Sequence, residues 1–216
     1  MINNNLKVDI ELMIGSVSLS ANFYMQAEIV CIFGPSGSGK TSILNAIAGI
    51  KIPKKGSIIL NNHSFFNAQK NINIPIKDRN IGYAFQDERL FPHMNVWKNL
   101  TYKSKDMIHL DEIINILDLK NILDRKIKNL SGGEKKRISL GRSLAGTPAL
   151  LLLDEPLSGV EESRKKIILS FIKKLSLKNK IPILYVTHNN DEVKTLTNKV
   201  FQIKDGMLKK LEKEGD

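Results

Sequence analysis

Apolar and polar positions alternate from Leu6 to Leu12 and again from Val17 to Ala21, with Gly15-Ser16 between them. A period of two interrupted by a glycine predicts two short strands joined by a turn. The next apolar run, Ile29 to Phe33, is continuous and partly β-branched, which predicts a buried strand over Ala27 to Phe33. It gives way to the helix-favouring Ser42 to Ala48, which Gly49 and Pro53 bring to an end. Gly56 to Leu60 reads as another strand. Asn61 to Asn80 is polar with scattered apolar residues and is expected to be loop, with Phe65-Phe66 packing down on the sheet. Ile81 to Phe85 is a short apolar strand ending at Gln86.

The texture then changes. Val96 to Tyr102, Leu110 to Leu119 and Glu134 to Leu144 have helical spacing with no strand between them, predicting a helical lobe of about 60 residues. Ala149 to Leu153 restores strand texture as an unbroken aliphatic run. Glu161 to Leu177 is an amphipathic helix with Ile167, Ile168, Phe171, Ile172 and Leu175 expected on one face. Ile183 to Thr187 is a further buried strand, and Lys199 to Ile203 with Met207 to Leu211 form a closing hairpin turned at Asp205-Gly206. No internal repeat, low-complexity tract or heptad run is present.

Composition narrows the class. The chain has 216 residues, 42% of them hydrophobic and 25% charged, enough for one globular α/β domain with a real core. No apolar stretch approaches the roughly 20 residues of a membrane helix. Met1-Ile2-Asn3-Asn4-Asn5 has neither a basic segment nor a following apolar core, so no signal peptide is expected. Cys31, the single cysteine, reads as a small buried hydrophobe, and these features together point to the cytosol. The net charge of +11 comes from dispersed lysines, and aromatic residues are only 6%. No nucleic-acid motif is present, so no nucleic-acid partner is expected; a mild attraction to the anionic cytoplasmic leaflet is.

The chemistry is concentrated in Gly34-Pro35-Ser36-Gly37-Ser38-Gly39-Lys40-Thr41, between a buried strand and a helix start. That is the context the phosphate-loop pattern requires. Its glycines let backbone N–H groups approach an anion, and the helix start adds free amides and the positive end of a dipole. Lys40 brings a cation to the β- and γ-phosphates of a nucleoside triphosphate, and the Thr41 hydroxyl can ligate Mg²⁺. Leu150 to Leu153 then delivers Asp154 and Glu155 at the carboxyl end of a strand, where ligands of such sheets sit. Asp154 suits the Mg²⁺ shell, and Glu155 suits a group that orients or deprotonates an attacking water. Ser131-Gly132-Gly133-Glu134 before a helix builds a second anion cradle, which one nucleotide in one chain hardly needs unless the second serves a neighbour's.

These motifs, in this order and over nearly the whole chain, resemble the ATP-binding-cassette ATPases. The resemblance implies a P-loop NTPase fold: a RecA-like, mostly parallel sheet core at 1–86 and 147–216, antiparallel amino-terminal strands, and a helical subdomain inserted at 87–146. Gly34 to Thr41 looks like Walker A, with Ser42 following it, and Ala149 to Glu155 like Walker B. Leu130 to Glu134 looks like the signature motif, Gln86 like the Q-loop glutamine, and His188 in Val186-Thr187-His188 like the switch histidine. By resemblance, two copies pair head to tail, Ser131, Gly132 and Gly133 of one closing on the γ-phosphate held by Lys40 of the other. His188 would touch that phosphate, and Gln86 would sense Mg²⁺ and relay its state to a membrane partner.

Phe85 to Val96, Asp78 to Tyr83 and Ser131 to Arg142 resemble, within the family, the ATP-binding subunits of oxyanion importers, and most closely those for molybdate. This implies a permease dimer at the cytoplasmic face of the membrane, with the segment after Gln86 receiving its coupling helix and an extracytoplasmic solute-binding protein feeding it. Glu134 stands where glutamine is commoner, and Leu157 to Glu161 where Ser-Ala-Leu-Asp is usual. No aromatic residue stands at Leu12 to Ile14 to stack adenine. The chain stops at Asp216, so regulation through a carboxyl-terminal oxyanion-binding domain is not expected. Two other classes compete. A soluble cassette of DNA repair or the ribosome would carry long coiled coils or a second cassette, and a small-molecule kinase would not need Leu130 to Glu134.

Overall fold

A computed structural model describes residues 4–104 and 106–211, apart from the side chain of Ile108. The expectations about a leader and about the stop at Asp216 rest on residues 1–3 and 212–216, outside those described. Eleven strands form one sheet in the order β6-β5-β4-β1-β2-β11-β10-β3-β9-β8-β7. β1 (Leu6–Ile14) and β2 (Val17–Met25) pair antiparallel across the turn at Gly15, and β4 (Lys55–Leu60) pairs with the other edge of β1. β3 (Ile29–Phe33), β7 (Ile81–Ala84), β8 (Leu150–Asp154), β9 (Ile183–Thr187) and β10 (Val200–Lys204) run parallel. β11 (Met207–Lys210) closes a hairpin with β10 and meets β2 at Ser20.

The buried strands split their side chains between two cores. Leu150, Leu152, Leu184 and Val186 face α1 (Lys40–Ala48) and the antiparallel strands, while Leu151, Leu153, Ile183 and Tyr185 face the other helices. Those are α2 (Val96–Thr101), α3 (Met107–Ile116), α4 (Gly132–Ala145), α5 (Glu162–Asn179) and α6 (Asn190–Leu196). The period of two thus persists inside a run with no polar residue to reveal it. α1 packs against β1, β8 and β9, between the antiparallel and parallel parts of the sheet. Cys31 is buried as expected, and burial pushes its thiol up to about 12.

Two expectations need correction, and one helix is added. Asn61 to Asn80 is not all loop: it holds β5 (His63–Asn67) and β6 (Ile72–Asn73), antiparallel additions to β4. A register shift in β4 at Ile58/Ile59 faces Phe65 and Phe66, both buried, so a bulge hid the alternation. α6 was not foreseen; it starts on Asn189, whose side chain accepts from the Asp191 and Glu192 amides. Ile167 is 47% exposed, because the seam of α5 runs through Ile168, Phe171, Ile172 and Leu175 and Ile167 falls one residue off it.

Candidate active site at two helix starts

α1 begins at Lys40, and its N-cap Gly39 has φ 104°. The left-handed backbone calls for glycine, and a Cβ there would lie 2.9 Å from Leu19 Cδ2 and 3.1 Å from Ile14 Cδ1, side-chain ends that would have to give way. Gly37, also left-handed at φ 79°, faces open space. Lys40 is buried, and its ammonium donates to Gly34 O at 2.8 Å and Pro35 O at 2.6 Å. Burial pulls its pKa down, against the upward pull of Glu155 and Asp154. The Ser38 hydroxyl is buried with no hydrogen-bond partner among the described residues. A loop with an unpartnered hydroxyl and an ammonium folded onto its own carbonyls fits an anion that would engage both.

The Thr41 hydroxyl donates to Asp154 Oδ2 at 2.7 Å. Burial raises the Asp154 carboxyl, and the bond from Thr41 works the other way. β8 ends there. Glu155 takes φ 47°, its N–H donating to Val186 O at 2.9 Å and its carbonyl accepting from the Ser158 hydroxyl at 3.1 Å. A left-handed glutamate costs about 1–2 kcal/mol, a strain of the kind that collects at functional sites. Its Oε1 lies 3.2 Å from His188 Nδ1 at the end of the adjacent strand β9. Ser36, Gly37, Lys40, Thr41, Ser42, Gln86 and Glu155 line a cavity of about 330 Å³, and Thr41, Gln86 and Asp154 line a second hollow of about 390 Å³. Three oxygen-bearing side chains suit a hard cation such as Mg²⁺.

Ser131, Gly132, Gly133 and Glu134 are elsewhere. Ser131 caps α4: its Oγ accepts from the Glu134 N–H at 3.2 Å, while Glu134 Oε2 accepts from the Ser131 N–H at 2.8 Å. The backbone bond from Ser131 holds the Glu134 carboxyl below its usual range. This turn lines a cavity of about 260 Å³ together with Gly159 and Glu161, and no residue lines both this cavity and the Lys40 cavity. A Cβ on Gly133 would fall 2.9 Å from Gly159 O.

One residue escaped sequence reasoning as a support of the site. Arg79 is 1% exposed, and its guanidinium donates to Ile47 O (2.8 Å), Ala46 O, Ile74 O, Phe65 O and Asn73 Oδ1. Two of these acceptors are the last carbonyls of α1, so Arg79 caps the end of the helix opposite Lys40. The signal was faint: it is the single arginine in the Lys- and Asn-containing stretch 61–80.

Residues 18–158 match the ABC transporter family. This chain belongs to that family. It is 43% identical over 207 residues to the molybdenum import ATP-binding protein of Photorhabdus laumondii, covering 94% of this chain and 58% of that protein. The same-named proteins of Salmonella typhi and Vibrio vulnificus are 42% and 44% identical, with 94% and 93% of this chain covered and 59% and 52% of theirs. The chain thus spans a little over half the length of these relatives. Among solved structures, a dimeric ATP-binding cassette in a post-hydrolysis state with ADP and Pi superposes with a TM-score of 0.78 at 24% identity, over 99% of this chain and 100% of that one. A bacterial Atm1-family ABC exporter with ATP bound gives 0.83 at 19% identity, over 97% of this chain and 39% of the other. The cassette fold is shared with both. Among the described residues, no helix is long and apolar enough to cross a membrane.

Proposed function

We propose that this chain is the ATP-binding and ATP-hydrolysing subunit of an importer that takes up an inorganic oxyanion, with molybdate as the solute. The observation that carries the reading is the constellation around Lys40: Thr41 bonded to Asp154, and Glu155 beside His188, at the ends of adjacent parallel strands. Identity of 39–44% to molybdenum import proteins favours molybdate over other solutes. Residues 1–86 and 147–216 form the nucleotide core and 87–146 the helical subdomain.

Lys40 leaves the Gly34 and Pro35 carbonyls to meet the β- and γ-phosphates, and the amides of Gly37 to Ser42 surround them. Thr41, Asp154 and Gln86 hold Mg²⁺, which supplies charge neutralisation to the phosphates. Glu155 orients the attacking water, and His188 beside it contacts the γ-phosphate. Ser131, Gly132, Gly133 and Glu134 of a second copy complete the site, so ATP drives closure of a homodimer and hydrolysis reopens it. The pair works beneath a permease dimer, peripheral to the cytoplasmic face, with an extracytoplasmic binding protein delivering the solute.

The test is transport. In vesicles holding the chain with its permease and binding protein, ATP should drive molybdate accumulation, and Glu155→Gln should abolish it while trapping an ATP-bound dimer. A soluble cassette predicts no accumulation and no co-purifying polytopic protein. Full hydrolysis by a strictly monomeric chain would sink the two-copy mechanism.

A further inference from the structure

After β7 the chain leaves the sheet through Gln86 and then through two successive non-glycine residues in the left-handed region, Glu88 at φ 52° and Arg89 at φ 46°. Such a turn persists only where something outside it holds it. α4 does so. The Lys136 ammonium donates to Gln86 O, the Ser139 hydroxyl to Glu88 O at 3.0 Å, and Arg142 Nη2 to Glu88 O at 3.2 Å and Arg89 O at 2.8 Å. Spaced by three, these residues follow one another along one side of the helix. The acceptors of these four hydrogen bonds are main-chain carbonyls, so the grip is mainly on the backbone of the turn.

Lys136 is the informative member. Its side chain is only 9% exposed, and a buried ammonium is tolerated where acceptors surround it. Besides Gln86 O it has the Glu88 carboxylate at 3.5 Å. A lysine serving only solubility would extend into water. This one lies behind the turn whose side chain, Gln86, lines a hollow with Thr41 and Asp154. The same helix starts at Ser131, so the signature turn and the Gln86 turn are mounted on one 14-residue rod.

We propose that Lys136 is a positioning residue: it fastens the Gln86 main chain to α4, keeping Gln86 beside Thr41 and Asp154 and making it move with the Ser131 turn. This rests on the reading of Thr41, Gln86 and Asp154 as the Mg²⁺ holders. Lys136→Met keeps the stem and removes the ammonium. In nucleotide-free protein, amide exchange of residues 86–91 should rise about tenfold, the scale of one lost charged hydrogen bond, while β8 is unchanged. The Mg²⁺ concentration that half-saturates binding of a non-hydrolysable fluorescent ATP analogue should also rise about tenfold, with affinity in EDTA unaltered. Ser139→Ala, a milder cut in the same ladder, should move both in the same direction by less and guards against misfolding of the first variant. Unchanged exchange at 86–91 overturns the inference, as does faster exchange with unaltered Mg²⁺ dependence, which would leave Lys136 a structural lysine. Wild-type binding indifferent to Mg²⁺ would sink the metal assignment first, and the inference with it.

Discussion

Two glycine turns at helix starts, around Lys40 and around Ser131, present the same raw chemistry and are supported in opposite ways. The Lys40 turn is held by distant parts of the chain. Gly39 is wedged against Leu19 and Ile14, Thr41 is bonded to Asp154, and Arg79 grips the far end of the helix. The Ser131 turn is held by its own fourth residue, through the reciprocal bonds of Ser131 and Glu134, and Ser131 and Gly132 are exposed. A cradle that must keep a buried cation and a carboxylate in place needs tertiary bracing. One that meets an incoming surface needs only a locally preformed shape. The difference teaches that the first is braced by several distant segments of the chain while the second is shaped locally and leaves Ser131 and Gly132 exposed.

Substitutions can break this contrast. The largest effect is expected for Lys40→Ala, which should lower nucleotide affinity by about 10²–10³-fold in a fluorescence titration, with the fold intact. Arg79→Met should come next as a stability loss above about 3 kcal/mol in denaturant unfolding, because several buried acceptors lose their donor together. Gly39→Ala should cost about 1–3 kcal/mol, since the residue is both left-handed and in contact with Leu19 and Ile14, and it should weaken nucleotide binding alongside. Glu134→Gln, the matching lesion at the other turn, should cost no more than about 1 kcal/mol because glutamine can complete the same cap. A loss as large as that for Arg79 would end the distinction between the two supports.

The smallest effect is in pH. Glu134 has its folded pKa held down by the Ser131 amide, so its carboxylate stabilises the folded state fully above the ordinary glutamate pKa. That share disappears as pH falls through the lowered folded value. The stability gap between wild type and Glu134→Gln should therefore be present near about pH 7, start to shrink only below the ordinary glutamate range, and be gone once the pH is below the lowered folded value. A gap that persists in acid would mean the carboxylate's charge contributes nothing to the turn.

How much was legible follows the range of the interactions. Strands β3, β8 and β9 and the turns at Gly34–Thr41 and Ser131–Glu134 were readable because their determinants are contiguous: apolar runs, glycines at helix starts, a serine three residues before a glutamate. β5 and β6 were missed because they are made by hydrogen bonds to neighbours, β5 to β4 and β6 to β5, pairings that the residues of 61–80 do not announce. Ile167 was misplaced because a periodicity fixes the axis of a helix face and leaves the width of the buried stripe to the neighbouring elements.

By itself the sequence picked out the glycine loop Gly34–Thr41, the Asp154-Glu155 strand end and the Ser131–Glu134 turn, since these patterns depend on residue type and on spacings shorter than ten residues. Only the tertiary structure decided what braces them. That Arg79 closes α1, that His188 stands beside Glu155, and that α4 reaches the Gln86 turn are contacts across 32 to 50 residues of chain. Such contacts arise from how the parallel strands are ordered in the sheet. Local propensity is nearly blind to that order, because a buried strand's residues look alike whichever neighbour it takes.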